Sequence, residues 1–301
     1  VYIFFGSTIA AYGGGSIDLV LADWTITGES SVECNQTMAY NSCYPNNSDR
    51  RCSCSPNDYP QYFTTGSRTG FSLSNVGDVD GDGLDDILIG APYWNDPNKR
   101  NYYYSGGGND GLKGRAYLIF GSSLPTTGGL KDITSADWIF TGEDGGDQAG
   151  YAVDGAGDVD GDGLSDILIG APYRHGNDSG TSYLLYGASL SNSGGSMSLG
   201  SADYIFNGES SSDRSGFSVS SAGDVDGDGL SDILIGAPYH DENGSDSGSV
   251  YMFFASTLWV GSGTLSLSDA DYEFLGEQTY YYLGTSVAAA GDVDGDSIDD
   301  I

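Results

Sequence analysis

Basic side chains are scarce in this sequence, which has 10 lysines and arginines against 43 aspartates and glutamates, for a formal net charge of −33. So negative a surface repels nucleic acid and anionic lipid, which argues against both as partners. The acids do not form a disordered tail, because they stand in glycine-spaced clusters between apolar runs. Clustered carboxylates repel one another unless a cation lies among them, so metal ions are expected.

Long apolar runs and catalytic motifs are also missing. No stretch is long and apolar enough to span a bilayer, so no direct membrane insertion is predicted for this segment. The two histidines, His175 and His240, both follow an Ala-Pro-Tyr turn, and we expect exposed loop residues there. No G-x-S-x-G motif is present and no set of nucleophile, base and orienting group can be assembled, so no catalytic residue and no enzyme activity are predicted.

Cysteines are few and lie in one segment, residues 30–68. Their C-x8-C-x8-C-x-C spacing differs from the paired C-x2-4-C of zinc sites, which favours two disulfides. Three pairings are possible, and a Cys52–Cys54 bridge is the least favourable because its ring would be strained. Disulfides, with four N-glycosylation sequons, predict an extracellular or cell-surface protein. The cysteines are Cys34, Cys43, Cys52 and Cys54, and the sequons begin at Asn35, Asn46, Asn177 and Asn243.

An internal repeat dominates the sequence. The pattern Gly-Asp-Val-Asp-Gly-Asp occurs four times, successive copies begin 80, 66 and 68 positions apart, and three copies continue into Leu-Ile-Gly-Ala-Pro-Tyr. An aromatic run and an Ala-Asp-aromatic segment leading to Gly-Glu recur at fixed places in each period. Each period therefore has about four short apolar runs flanked by glycine, proline or aspartate, which are strand signals.

Four strands in each of several repeats are typical of the blades of a β-propeller. A parallel β-helix is the rival architecture, but its coils are much shorter than this period. We therefore predict an all-β chain, a β-propeller of four-stranded blades with about four to five blades present.

The aspartate loop reads D-x-D-G-D-G-x-x-D, with carboxylates at positions one, three, five and nine. Alternate spacing in a tightly turning chain directs these carboxylates to one centre, and the carbonyl of position seven can add a ligand. Six or seven oxygen ligands of irregular geometry suit calcium better than magnesium. The predicted ligands are Asp78, Asp80, Asp82, Leu84 and Asp86; Asp158, Asp160, Asp162, Leu164 and Asp166; Asp224, Asp226, Asp228, Leu230 and Asp232; and Asp292, Asp294, Asp296, Ile298 and Asp300.

An EF-hand has a similar loop but requires a glutamate at position twelve and flanking helices. Position twelve of the first loop is Ile89, inside a strand-like run, so an EF-hand is excluded. In the fourth loop Ser297 replaces the second glycine, where a strained backbone is expected, and the weakest calcium affinity is predicted there. The four ions are expected to be structural and coupled to folding.

The loop followed by Gly-Ala-Pro, as in Gly90-Ala91-Pro92, resembles the FG-GAP repeat. The resemblance implies the seven-bladed propeller of integrin α subunits, with relatives in bacterial surface proteins and in glycosylphosphatidylinositol-specific phospholipase D. The Phe-Gly element departs from the pattern and reads Thr69-Gly70 or Ala149-Gly150. Only about four repeats are present, so the chain is predicted to be a fragment of a seven-bladed propeller; alternatively its two end segments share one blade and close a small ring.

On this interpretation residues 1–301 form a single propeller region. Its repeats are 1–29 (partial), 70–143, 150–209, 216–277 and 284–301 (partial), with a cysteine-rich loop insertion at 30–68. A second insertion, 99–113, contains tyrosines, and insertions in propellers lie on loops where binding occurs. The ligand-binding candidates are Trp94, Tyr102, Tyr103 and Tyr104, with packing between blades as the alternative.

Three functions remain open from the sequence, and the least specific of them is a purely structural spacer. The first is an adhesion or recognition module for a protein or glycan ligand at the propeller loops. The second is an accessory propeller of a secreted hydrolase, phospholipase-D-like or other, whose catalytic domain lies outside this segment.

Overall fold

A computed structural model describes residues 2–3, 24–27, 42–45, 52–55, 67–94, 112–124, 129–190, 194–258 and 262–301. These residues are almost entirely β structure, which confirms the predicted class. Among these described residues the α-helical turns are α1 (Gly187–Leu190) and α2 (Ala255–Leu258). The strands are β1 (Tyr2–Ile3), β2 (Trp24–Thr27), β3 (Ser42–Pro45), β4 (Cys52–Ser55), β5 (Leu73–Gly77), β6 (Asp86–Ala91), β7 (Arg115–Ile119), β8 (Gly129–Asp132), β9 (Trp138–Thr141), β10 (Ala152–Gly157), β11 (Asp166–Ala171), β12 (Thr181–Leu185), β13 (Gly195–Ser198), β14 (Tyr204–Asn207), β15 (Ser218–Gly223), β16 (Asp232–Ala237), β17 (Ser249–Phe253), β18 (Gly263–Ser266) and β19 (Tyr272–Leu275).

Three sheets repeat one antiparallel plan. Strands β5, β6, β7 and β9 pair in that order, as do β10, β11, β12 and β14, and then β15, β16, β17 and β19. Smaller sheets are formed by β1, β2 and β8 and by the hairpin of β3 and β4. The four apolar runs recognised in each repeat are thus the four strands of a blade.

Two sheets have a fifth strand that the sequence analysis did not predict. Strand β13 pairs in parallel with β9, and β18 pairs in parallel with β14, although β13 and β18 belong to the following repeats. The β2–β8 pair repeats this arrangement. These strands read Gly-Leu-Lys-Asp, Gly-Ser-Met-Ser and Gly-Thr-Leu-Ser, too polar and short to give a periodic strand signal.

The second strand of a blade, such as β11, is apolar on both faces because each face packs against another blade. In β11, Ile167 and Ile169 belong to a core cluster with first-sheet residues such as Phe140. Leu168 belongs instead to a cluster with third-sheet residues such as Phe253. Full burial of each such side chain contributes about 1.5–3 kcal/mol, so the alternation along one strand holds three blades together.

Close backbone approach explains the glycine of each Gly-Ala-Pro turn. A Cβ added to Gly170 would collide with the carbonyl oxygen of Gly216, at the start of the next repeat. Gly216 itself has a φ of 78°, which glycine adopts without steric cost. Beside it, the rings of Tyr151 and Phe217 lie 4.9 Å apart between successive blades.

Candidate metal centre

Four groups of three aspartates each offer carboxylate oxygens that lie within 4.8 Å of one another, a spacing that could hold a metal ion. Each group contains positions one, three and nine of one aspartate loop. Acidic groups this close repel one another, so a cation among them would be stabilising. The groups are Asp78, Asp80 and Asp86; Asp158, Asp160 and Asp166; Asp224, Asp226 and Asp232; and Asp292, Asp294 and Asp300.

The position-nine aspartate anchors the loop to its blade. In the second loop Asp166 is fully buried and accepts hydrogen bonds from the backbone amides of Val159 and Gly187, both at 2.8 Å. Asp86 and Asp232 make the same pair of bonds in their own blades. This carboxylate therefore joins the loop to the turn after the aromatic strand.

The position-one aspartate shapes the turn. Asp158 accepts from the amides of Gly161 at 2.7 Å and Asp162 at 3.1 Å with one oxygen, and from Gly163 at 3.0 Å with the other. The φ angles of Gly161 and Gly163 are 77° and 87°, the left-handed region that favours glycine. The glycines between the acids are thus required by the turn that brings the carboxylates together.

Position five lies differently from the other predicted ligands. The Asp162 carboxylate accepts from the backbone amide of Leu164 at 2.8 Å, and position five belongs to none of the four groups of three. The equivalent residues Asp82, Asp228 and Asp296 accept from position seven in the same way. Calcium ligation by position five and by the position-seven carbonyls stays a prediction.

Electrostatics in the loops favour a cation. Burial is the main cause that raises the pKa of Asp166 to about 8, with further contributions from the charges of Asp160 and Asp158. The pKa values of Asp86 and Asp232 are raised to about 6, again mainly by burial. Such carboxylates are costly as bare anions, and a hard divalent cation fits a donor set made only of oxygens.

The aspartate of the Ala-Asp-aromatic segment has a structural role that the sequence analysis missed. Asp137 accepts from the amide of Phe120 at 2.9 Å and from the hydroxyl of Ser123 at 2.6 Å. Asp203 and Asp271 make equivalent bonds in the next two repeats. The fixed recurrence of this acid was the available signal, and the structure shows that it caps the turn after the aromatic strand.

The expectation of an exposed loop histidine is wrong for His240. Its side chain is buried and paired with two acids. Its Nδ1 lies 3.1 Å from an Asp213 carboxylate oxygen, and its Nε2 lies 3.7 Å from a Glu273 carboxylate oxygen. In the preceding repeat Arg174 takes the equivalent place and pairs with Glu143. The side chain of His175 lies outside the described residues.

The candidate ligand surface is described only in part. Trp94 is 8% exposed, and the guanidinium carbon of Arg115 lies 3.4 Å from its ring centroid, which suits the packing alternative better than a binding face. Tyr102, Tyr103 and Tyr104 lie outside the described residues, as does Cys34. Within the part of the chain that is described, no helix has the length and apolarity to cross a membrane.

Sheets of four antiparallel strands, each with an aspartate loop that could hold a metal, define a class of repeated β-propeller blades. The family described as the FG-GAP repeat matches residues 69–112, 149–185 and 215–253. The chain therefore carries FG-GAP repeats, as its sequence predicted.

The proteins similar to this chain include integrin α subunits and a phospholipase D. Integrin alpha-PS2 of Drosophila melanogaster is 31% identical over 177 residues, 59% of this chain and 12% of the relative. Phosphatidylinositol-glycan-specific phospholipase D of Dictyostelium discoideum is 29% identical over 236 residues, 73% of this chain and 23% of the relative. Integrin alpha pat-2 of Caenorhabditis elegans is 29% identical over 170 residues, 54% of this chain and 13% of the relative. The chain thus spans less than a quarter of these relatives.

Proposed function

We propose that each of the four aspartate loops binds one calcium ion and that the ions stiffen an extracellular propeller that recognises other molecules. The four groups of carboxylates carry this proposal. The proposed ligands are the carboxylates of loop positions one, three, five and nine together with the carbonyl of position seven. Calcium tolerates the irregular geometry of such a set, whereas magnesium demands a near-ideal octahedron.

Bound calcium would supply charge balance. Four ions add eight positive charges to the net −33, giving about −25, and they act where the carboxylates are most crowded. In the first three loops the ion would hold position nine, whose carboxylate already bonds to two backbone amides of its blade. Calcium therefore belongs to the folded state, and its removal is expected to loosen the loops and the strands that follow them.

A recognition role is favoured over catalysis within this segment. Two of the similar proteins are named as integrin α subunits, and the two insertions predicted from the sequence, 30–68 and 99–113, would add residues of the kind that bind ligands in propellers. The ligand is proposed to be a protein or a glycan. The similar phospholipase D supports the second candidate, an accessory propeller beside a catalytic domain outside this segment.

The calcium proposal is tested by thermal melting during titration with calcium, magnesium and chelator. We expect the melting temperature to rise with calcium and to fall with chelator. Asp160→Ala, which removes a member of the second group, should reduce the calcium-dependent rise. Glu242→Gln, at an exposed acid outside the loops, should leave it unchanged. A melting temperature that chelator does not alter would overturn the proposal.

The recognition proposal is tested with calcium-loaded protein on a glycan array and on immobilised extracellular matrix proteins. The control is a variant in which residues 99–113 are replaced by a short Gly-Ser loop. Calcium-dependent binding that the variant loses supports recognition through this insertion. Absence of binding to both sets, with a hydrolase domain in the full reading frame, favours the accessory role.

A further inference from the structure

Neighbouring aspartate loops are joined by a backbone hydrogen bond that recurs at every junction between the four described loops. The amide of Ser165, at position eight of the second loop, donates to the carbonyl of Asp78, at position one of the first, at 2.9 Å. The same bond joins Ser231 to Asp158 at 2.9 Å and Asp299 to Asp224 at 3.0 Å. Each of the first three loops is therefore held from outside by the loop of the following repeat.

Side-chain contacts reinforce this junction. A Cβ added to Gly157, just before the second loop, would collide with the hydroxyl of Ser231, so the position-eight side chain lies directly against the entrance of the preceding loop. Gly77 and Gly223 face Ser165 and Asp299 in the same way. None of the described residues lies within 4 Å of the equivalent position on Gly291, before the fourth loop.

The bond between loops connects two proposed ligand sets through two peptide groups. The Ser165 amide belongs to the same peptide unit as the Leu164 carbonyl, a proposed ligand of the second loop. The Asp78 carbonyl belongs to the same peptide unit as the Val79 amide, which donates to Asp86 at 2.9 Å. Asp86 is a proposed ligand of the first loop, so only hydrogen bonds and planar peptide units separate the two sites.

Such a chain transmits polarisation. A cation at the Leu164 carbonyl would draw electron density from its peptide and make the Ser165 amide a stronger donor. The Asp78 carbonyl would then be better held, and the Val79 amide would bond Asp86 more strongly, because hydrogen bonds in series polarise one another. When one loop is ordered, its position-eight peptide is also fixed, and the amide of that peptide holds the preceding loop.

We propose that the calcium sites of successive blades are energetically coupled, each ion raising the affinity of the neighbouring loops for calcium. This inference rests on the proposed calcium function. Coupling between binding sites is reciprocal, so loss of an ion weakens the loop before it and the loop after it. The fourth loop, which bears Ser297, has a neighbour on one side only among the described loops.

The test uses the whole chain, with backbone amide NMR during a calcium titration. The amides of Val79, Val159, Val225 and Val293 each donate to the position-nine carboxylate of their own loop and so report on one site each. In Asp160→Ala the Val159 response should be lost. The calcium midpoints of Val79 and Val225 should rise at least about fivefold, the lower end of typical coupling, while Val293, two loops away, should shift least.

A second variant removes the connecting donor without touching a carboxylate. Ser165→Pro deletes the amide that bonds Asp78, whereas Ser165→Ala keeps it. We expect Ser165→Pro, and not Ser165→Ala, to raise the Val79 midpoint. If Ser165→Pro does not fold, Asp160→Ala decides alone.

The outcomes separate the two proposals. Wild-type protein in which no reporter amide responds to calcium would overturn the calcium function itself. Four responding amides, with the Val79 and Val225 midpoints unchanged in Asp160→Ala, would leave calcium binding intact and overturn the coupling.

Discussion

Ser297 has a backbone φ of 73°, in the loop position where Gly163 has a φ of 87°. The left-handed region costs a residue with a side chain about 1–2 kcal/mol. The fourth loop therefore bears strain at the position where the other three loops have glycine.

Ser297→Gly is expected to relieve this strain. The calcium midpoint of the fourth loop should fall roughly fivefold, as about 1 kcal/mol of strain implies when the loop orders on binding. The Val293 amide reports the midpoint, and the reciprocal change Gly163→Ser should weaken the second loop by a similar factor. An unchanged fourth-loop midpoint would show that serine adopts this conformation without cost.

Gly157→Ala and Gly163→Ala form a matched pair that isolates the contact between loops. Both glycines have positive φ angles, 74° and 87°, so both substitutions carry the same backbone cost. The new Cβ at Gly157 would collide with Ser231, whereas at Gly163 it would meet no described residue within 4 Å. Thermal melting in calcium should show Gly157→Ala to be less stable by a further 1–3 kcal/mol or so. Equal losses would contradict the packing of position eight against the preceding loop.

His240 should make a contribution to the pH dependence of the third blade that Arg174, at the equivalent place in the second blade, does not make. The hydrogen bond to Asp213 is the main cause that raises the pKa of His240 above 6.5, with charges on Glu273 and Glu209 adding to it and burial opposing it. Because the folded-state pKa is raised, this stabilisation is complete below pH 6.5 and is lost as pH rises through the folded-state value.

The measurement is the melting temperature of calcium-saturated protein from pH 6 to pH 9. His240→Arg, which copies Arg174 of the preceding repeat, should lose less stability over this range than wild type, since arginine stays charged. Parallel pH profiles of the two proteins would show that the ion pair with Asp213 contributes nothing measurable.

The cysteine insertion allows a prediction of disulfide pairing. Cys43 and Cys54 are Cα partners in the antiparallel pair of β3 and β4. Opposed residues in such a pair have Cα atoms about 4.5–5.5 Å apart, within the range that a disulfide spans. We expect a Cys43–Cys54 bridge, which leaves Cys34 to pair with Cys52. Mass spectrometry of unreduced peptides would check this, and a Cys34–Cys43 peptide would contradict it.

The aspartate loops and the strands of the blades could be predicted from the sequence because their signals are local. Asp158, Asp160 and Asp166 could be assigned to one centre from spacing and glycine placement alone, and the apolar run of β11 identified a buried strand. The four apolar runs in each period then predicted propeller blades, and the family resemblance added the expectation of seven of them.

Contacts between repeats were not predictable in this way. The parallel strand β13 has almost no apolar pattern, and its partner β9 lies more than 50 residues earlier in the chain. His240 was expected to be exposed because it follows a turn, but Asp213 and Glu273 come from two other segments and bury it. Long-range pairing of polar groups leaves no periodic trace in a single sequence.

The strand that each repeat lends to the sheet before it has a consequence for how such chains grow or shorten. Because β8, β13 and β18 occupy the same place on three sheets, excision of one whole repeat brings the next lent strand to the same edge. A gene duplication or deletion that preserves the period therefore leaves no additional sheet edge unpaired. A cut between two of these blades, by contrast, removes from the earlier sheet the parallel strand that the later repeat contributes. Blade number can therefore change in evolution more easily than a single blade can be isolated in the laboratory.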